Sequence, residues 1–260
     1  MDIFNFDPVT FFSFLLTLMR VSVLIFLMPF YGGDPIPTTI KVMVSLVLTL
    51  AIWPQLSLPG DQLPANGFEI AVIMLGEIVL GLTLGLVVHF IFAGIQTGGE
   101  LLGFQMGFTM VSVMDPVSGA RISVTSHFLY SISLIIFLVL DGHLHLLQAL
   151  ALSFKLIPAG SFFIGGQLAN TIIEFSAGIF VLAVKIAAPV MASLFMVELT
   201  LALMGRAAPQ MNLMTMGFPI KIGVGFLFLS MLFGIMSGLM EEMIFGLGPL
   251  FGNLMRMSGL

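Results

Sequence analysis

An all-α, polytopic membrane-type protein built from partly broken helical hairpins is the fold class this sequence predicts, on three observations. Apolar residues make up 59% of its 260 residues and charged ones 8%, against about 25% charged in soluble domains, and mean hydropathy is +1.17. Eight basic and thirteen acidic residues cannot clothe a core of that size against water. Apolar stretches near the roughly 20 residues that cross a bilayer's hydrocarbon recur along the chain. Prolines and glycines punctuate those stretches, and a backbone group freed by proline in a membrane must be satisfied by surrounding protein.

The N-terminal MDIFNFDPVT carries Asp2 and Asp7 and no Lys or Arg. It lacks the basic region and small-residue cleavage site of a secretory signal, so the apolar run after it is expected to stay as a membrane segment. Six stretches then read as spans: Val9–Phe30, Ile40–Leu58, Phe68–Ile95, Ile122–Leu140, Thr171–Thr200 and Ile222–Phe245. Gln96–Gly119 is a Gly-rich, amphipathic, non-spanning piece, and Asp141–Asn170 is too short and broken at its apolar centre to cross. Breaks are expected at Pro29, Pro35, Pro37, Pro54, Pro59, Pro189, Pro209 and Pro219. With six spans Lys41, Arg121, Arg206 and Lys221 fall on one side and Lys155 and Arg256 on the other. That leans toward a cytoplasmic Gly205–Lys221 loop.

Charges inside apolar stretches cost about 2.5–3.5 kcal/mol on insertion scales and usually face protein or an aqueous cavity. Arg20, Glu77, Glu100, Lys185 and Glu198 stand so. They read either as an ion or proton relay or as pairs between helices or subunits. Relays stack several acids at one depth, which is not evident here, so pairing is the reading taken. Arg20 and Lys185 then suit acids supplied by other chains, and such pairs specify neighbours more than they stabilise. Glycines four apart (Gly81/Gly85, Gly94/Gly98, Gly99/Gly103/Gly107, Gly234/Gly238) strip one helix face so that another backbone can approach. The run Gly99, Gly103, Gly107 reads as a close helix contact. The chain has 20 Met, an adaptable gap filler. The groups Met106/Met110/Met114 and Met211/Met214/Met216 lie in Gly/Pro-bounded segments and read as a deformable seal.

Catalysis finds little support. Zero Cys removes thiol chemistry and disulfides, and GxSxG, HExxH, Walker and GxGxxG patterns are absent. Asp141, His143 and His145 could suggest a metal site. Their spacing suits a strand better than a helix, and an Asp at a helix start beside exposed His is the preferred reading. No catalytic, cofactor or metal residue is assigned. A net charge of −5 argues against nucleic acid as a partner.

The order of motifs resembles the FliR family of flagellar type III export-gate proteins and its injectisome counterparts. Those motifs are Arg20 and Pro29…Gly33…Pro35, then Gly76-Glu77…Gly81…Gly85. Next come Gly99-Glu100…Gly103-Phe104-Gln105-Met106-Gly107-Phe108 leading to Asp115-Pro116, and Asp141-Gly142-His143. Last are Ala187-Ala188-Pro189…Glu198…Gly205-Arg206…Gln210-Met211-Asn212…Pro219-Ile220-Lys221. The resemblance implies tilted hairpins in a helical hetero-oligomeric channel of the bacterial inner membrane and flagellar basal body. It implies one copy of this chain with FliP and FliQ, FlhB as a further partner, and unfolded flagellar rod, hook and filament proteins as cargo. Residues 1–170 would be FliP-like and 171–260 a FliQ-like hairpin. It also implies a pore-closing plug loop at 106–122, MGFTMVSVMDPVSGARI. There Met106, Phe108, Met110, Val113 and Met114 would be apolar stoppers, and Asp115-Pro116 a turn. A dry constriction opposes ions by dewetting. Arg20, Glu77, Glu100, Lys185, Glu198, Arg206 and Lys221 become candidate subunit-interface charges.

Two competitors differ in kind. A small-molecule secondary transporter predicts inverted repeats around a midplane site, and no convincing repeat is evident between the halves. An intramembrane enzyme would use Asp141, His143 and His145. An injectisome homologue is a variant of the export reading.

Overall fold

A computed structural model describes residues 8–31, 36–53, 66–108, 123–158, 166–208, 210 and 213–258. Every regular element among them is helical: α1 (Pro8–Leu27), α2 (Thr38–Ile52), α3 (Gly67–Met106), α4 (Val124–Val139), α5 (Gly142–Leu156), α6 (Gly166–Ala207) and α7 (Leu213–Ser258).

Local chemistry sets many of the ends. α1 stops at Leu27, ahead of Pro29, in a tight turn where the Tyr31 N–H donates to the Met28 carbonyl at 3.0 Å. α2 starts after Pro37 and ends at Ile52, with Trp53 as its cap still at helical angles (φ −53°, ψ −41°) and its N–H donating to the Thr49 carbonyl. α3 ends where the Phe108 N–H donates to the Gly103 carbonyl (3.0 Å) and the Gly107 N–H to the Phe104 carbonyl (3.1 Å), with Gly107 at φ 88°. That is a Schellman motif with glycine in the left-handed position. Asp141, between α4 and α5, is also left-handed (φ 56°, ψ 25°). It occupies the expected N-cap position, yet its side chain makes no cap bond. Its carbonyl instead accepts from the Leu144 and His145 N–H groups.

Several sequence expectations change. Among the described residues four helices, not six, are long and apolar enough to cross a membrane, with α4 and α5 making a fifth only if that bent pair counts as one span. α2 has 15 residues, about 22 Å of rise, short of the hydrocarbon thickness. Gln96–Met106 is no separate amphipathic piece but the end of the 40-residue α3. The Asp141–Asn170 stretch contains a regular helix, α5. Pro189 and Pro219 lie inside continuous helices, since a helix in an apolar setting keeps its remaining backbone bonds when one N–H is lost. The side assignment of the Gly205–Lys221 loop, which depended on six spans, loses its basis.

The chain divides into two compact units: Met1–His89 with Asp141–Ser176 and Ile244–Leu260, and Phe90–Leu140 with Ala177–Met243. In the first, α1, the start of α3 and α5 bury Leu24, Ile25, Leu84 and Leu150, and α2 docks on α1 through Trp53. The Trp53 indole N–H donates to Ser13 Oγ at 3.0 Å, and its ring meets Phe14 edge-on. In the second, Phe92 of α3 stands edge-on to Tyr130 and Phe137 of α4, centroids 5.6 Å away from each. Thr17 and Ser133, buried in these apolar helices, bond back to carbonyls one turn earlier, those of Ser13 and Leu129, which meets their polar cost, whereas Thr125 Oγ1 of α4 is buried without a hydrogen-bond partner.

Apolar side chains also face outward. Only 22% of the apolar window of α7 is buried, with Phe226, Leu227, Met231 and Ile235 exposed. A surface of that kind requires lipid or other protein against it.

Candidate functional site

The deepest polar feature lies in the first unit. Arg20, halfway along apolar α1, and Glu77 of α3 are both fully buried. The Arg20 guanidinium forks onto the carboxylate, Nε donating to Oε2 at 2.6 Å and Nη2 to Oε1 at 3.0 Å. Nη1 donates to Ser153 Oγ (3.2 Å) and to the Ile157 carbonyl (3.1 Å) from α5 and its end. The Phe154 ring lies 4.1 Å from the guanidinium carbon. A bidentate pair with every donating nitrogen engaged is the geometry that tolerates removal from water. Close approach of α3 makes it possible: a Cβ on Gly81 would sit 2.7 Å from the Arg20 carbonyl oxygen, and one on Gly85 2.6 Å from Leu27. Arg20, read from sequence as suited to an acid on another chain, meets its acid within this one. Ser153, Phe154 and Ile157 escaped the sequence reading because nothing local sets them apart from other residues of an apolar helix.

In the second unit the glycines of α3 admit two neighbours. A Cβ on Gly94 would fall 2.7 Å from Leu182 of α6, and one on Gly98 3.0 Å from the Ala183 carbonyl. On Gly99 it would meet the Ser126 Cα of α4 at 2.5 Å, and on Gly103 the Ser123 and Thr125 side chains. The Ser126 hydroxyl donates to the Gln96 carbonyl at 2.9 Å. Gly107 differs from Gly99 and Gly103, being the left-handed residue just past the helix rather than part of its face.

Of the plug candidates, Met106 is fully buried and Phe108 stacks edge-on with Phe226 at 6.2 Å. Met110, Val113, Met114, Asp115 and Pro116 lie outside the described residues, as does Met211. Met216 is exposed on α7. Glu198 of α6 accepts from the Lys221 ammonium of α7, a half-exposed ion pair inside the unit. Glu100, Lys185 and Arg206 are exposed, and Arg206 lies in the last turn of α6, where the helix dipole favours a cation. No described side chain pairs with Glu100 or Lys185.

Asp141, His143 and His145 do not converge. The His143 ring meets Phe30 and the His145 ring meets Phe245. Among the described residues no three His, Cys, Asp or Glu side chains stand close enough to hold a metal ion.

Long apolar helices, a buried ion pair satisfied within the chain and apolar side chains turned outward define a polytopic helical membrane protein. The chain belongs to the bacterial export proteins, family 1, whose model matches residues 11–247, the family of the flagellar biosynthetic protein FliR. It is 32% identical to that protein of Aquifex aeolicus, covering 86% of this chain and 87% of the relative. Against the FliR of Escherichia coli (strain K12) identity is 29% over 87% of this chain and 86% of the relative. The Yop proteins translocation protein T of Yersinia pestis is 29% identical over 70% of each chain.

Proposed function

We propose that this chain is a non-enzymatic subunit of the flagellar type III export gate in the bacterial inner membrane. With FliP and FliQ, and with FlhB alongside, it forms the channel through which unfolded rod, hook and filament proteins leave the cytoplasm. Residues 1–170 act as the FliP-like part, 171–260 as the FliQ-like hairpin, and 106–122 as the plug. Glu100, Lys185 and Arg206, exposed without a described partner on apolar helices, are the charges best suited to neighbouring subunits. A charge left alone in such a setting is costly.

The observation that carries this reading is the end of α3. A 40-residue apolar helix stops on a Schellman glycine, and the Met/Phe-rich segment begins there with Met106 buried and Phe108 in ring contact. Soft apolar side chains on a fixed root supply two properties such a gate needs together, dryness against ions and compliance toward a passing chain. Deletion of Met110–Met114 in full-length protein should leave the complex assembled and make resting cells leak ions. Wild-type membrane conductance in that deletion rejects the plug assignment. The flagellar reading is preferred to an injectisome one because similarity to the FliR proteins covers more of the chain.

A further inference from the structure

α6 is apolar on two sides, and within its unit only one of them is covered. Leu182, Ile186, Val190 and Leu194 recur every four residues and are buried, with Leu182 and Ile186 lying against Gly94 and Gly98 of α3. On the opposite side Gly178, Val181, Lys185, Ala188, Ala192 and Phe195 are all exposed. Their spacing alternates three and four residues, the seven-residue repeat that keeps one seam of a helix turned toward a partner helix. Lys185 holds a core position of that repeat, and no described side chain pairs with it.

Two features of the seam bear on what covers it. Its middle is made of small residues, which lipid tails do not need but which let another helix backbone come near. Where bare positions of this chain do meet a neighbour, that neighbour is a helix. A Cβ on Gly98 would fall 3.0 Å from the Ala183 carbonyl, and one on Gly225 of α7 2.5 Å from Met106 of α3, whereas one on Gly178 would have nothing within 4 Å. The other feature is charge. Lys185 sits near the middle of the 42-residue α6, with roughly 30 Å of helix on either side. Lipid would cover the apolar members of the seam and leave the ammonium in hydrocarbon. A carboxylate on a facing helix removes that cost.

We infer that this seam of α6 is the docking surface for one apolar helix of a neighbouring subunit, which carries a carboxylate opposite Lys185. The small residues set how near the two backbones come. The charge sets which turn meets which, since a single lysine at a core position fixes the register of paired helices. Such a pair selects the partner more than it adds stability. The inference rests on the reading of this chain as a subunit of a hetero-oligomeric gate, and it assigns the face and the chemistry of one contact.

The test uses the full-length chain expressed with its partners in a flagellated host. In wild-type membranes a lipid-permeable carbodiimide, which condenses an amine with a carboxyl group touching it, should join Lys185 to an Asp or Glu within an apolar helix of another subunit. Mass spectrometry of the linked peptides reads the partner. A link to a second copy of this chain overturns the assignment, as does a Lys185 that stays unlinked. Lys185→Glu should lower recovery of co-purified FliP and FliQ roughly tenfold, because like charges facing across a contact repel. Exchanging the cross-linked acid for Lys in the same cells should restore it. Ala192→Trp tests the seam apart from the charge. A position facing lipid accepts the ring, whereas one facing a close helix does not, so partner recovery should fall while the chain itself still accumulates in the membrane. If wild type brings down FliP and FliQ and both variants do so equally well, this inference alone is overturned. A wild-type chain that purifies without either partner overturns the gate reading beneath it.

Discussion

Arg20 and Glu77 are separated by 57 residues, and neither can exist charged in an apolar core without the other. Removing one partner strands the second, which costs about 3–5 kcal/mol, whereas replacing both by apolar residues of similar volume is often nearly neutral. Arg20→Ala and Glu77→Ala should therefore each lower the melting temperature in detergent sharply, while Arg20→Met combined with Glu77→Leu should melt close to wild type. A double variant no better than the singles would mean that the bonds to Ser153 and Ile157, not the charge pair, hold the three helices together. The sequence exposed both charges as anomalies because an ionised group in an apolar run is costly wherever it ends up. It could not pair them, since the choice between a partner on this chain and one on another depends on which helix face each occupies after packing.

Among the elements, the corner between α4 and α5 depends on a backbone conformation rather than a side-chain bond. Asp141 is the one described non-glycine residue at positive φ. Asp tolerates that region and β-branched residues do not. Asp141→Val should cost about 1–2 kcal/mol and Asp141→Gly close to nothing, read as shifts in melting temperature. Equal melting of the two variants would show that the corner is held by its surroundings instead. Helix existence was legible throughout, because runs of apolar residues at this density form helices in any low-polarity setting. Helix length was less so. The break expected at Pro54 lies outside the described residues, while Pro189 and Pro219 interrupt nothing. A proline's consequence depends on whether neighbouring groups leave the helix intact around it, which is a tertiary matter.

At the level of the molecule, Glu198 and Lys221 join α6 and α7, the two helices of the proposed C-terminal hairpin. Both side chains keep substantial solvent contact, so the pair is expected to specify geometry more than to add stability. Glu198→Lys should abolish co-purification with FliP and FliQ, and the swap Glu198→Lys with Lys221→Glu should recover it. Failure of the swap would assign Glu198 to a partner chain rather than to Lys221. By itself the sequence determined that this chain lives in a membrane, is all helical and belongs with export-gate proteins, because composition and motif order act through transfer free energy and local backbone preference. Packing alone decided that Arg20 meets Glu77 and that α7 cradles the end of α3. Those are contacts between residues far apart in the chain, where a missing Cβ at Gly81 or Gly225 counts only once two helices have met.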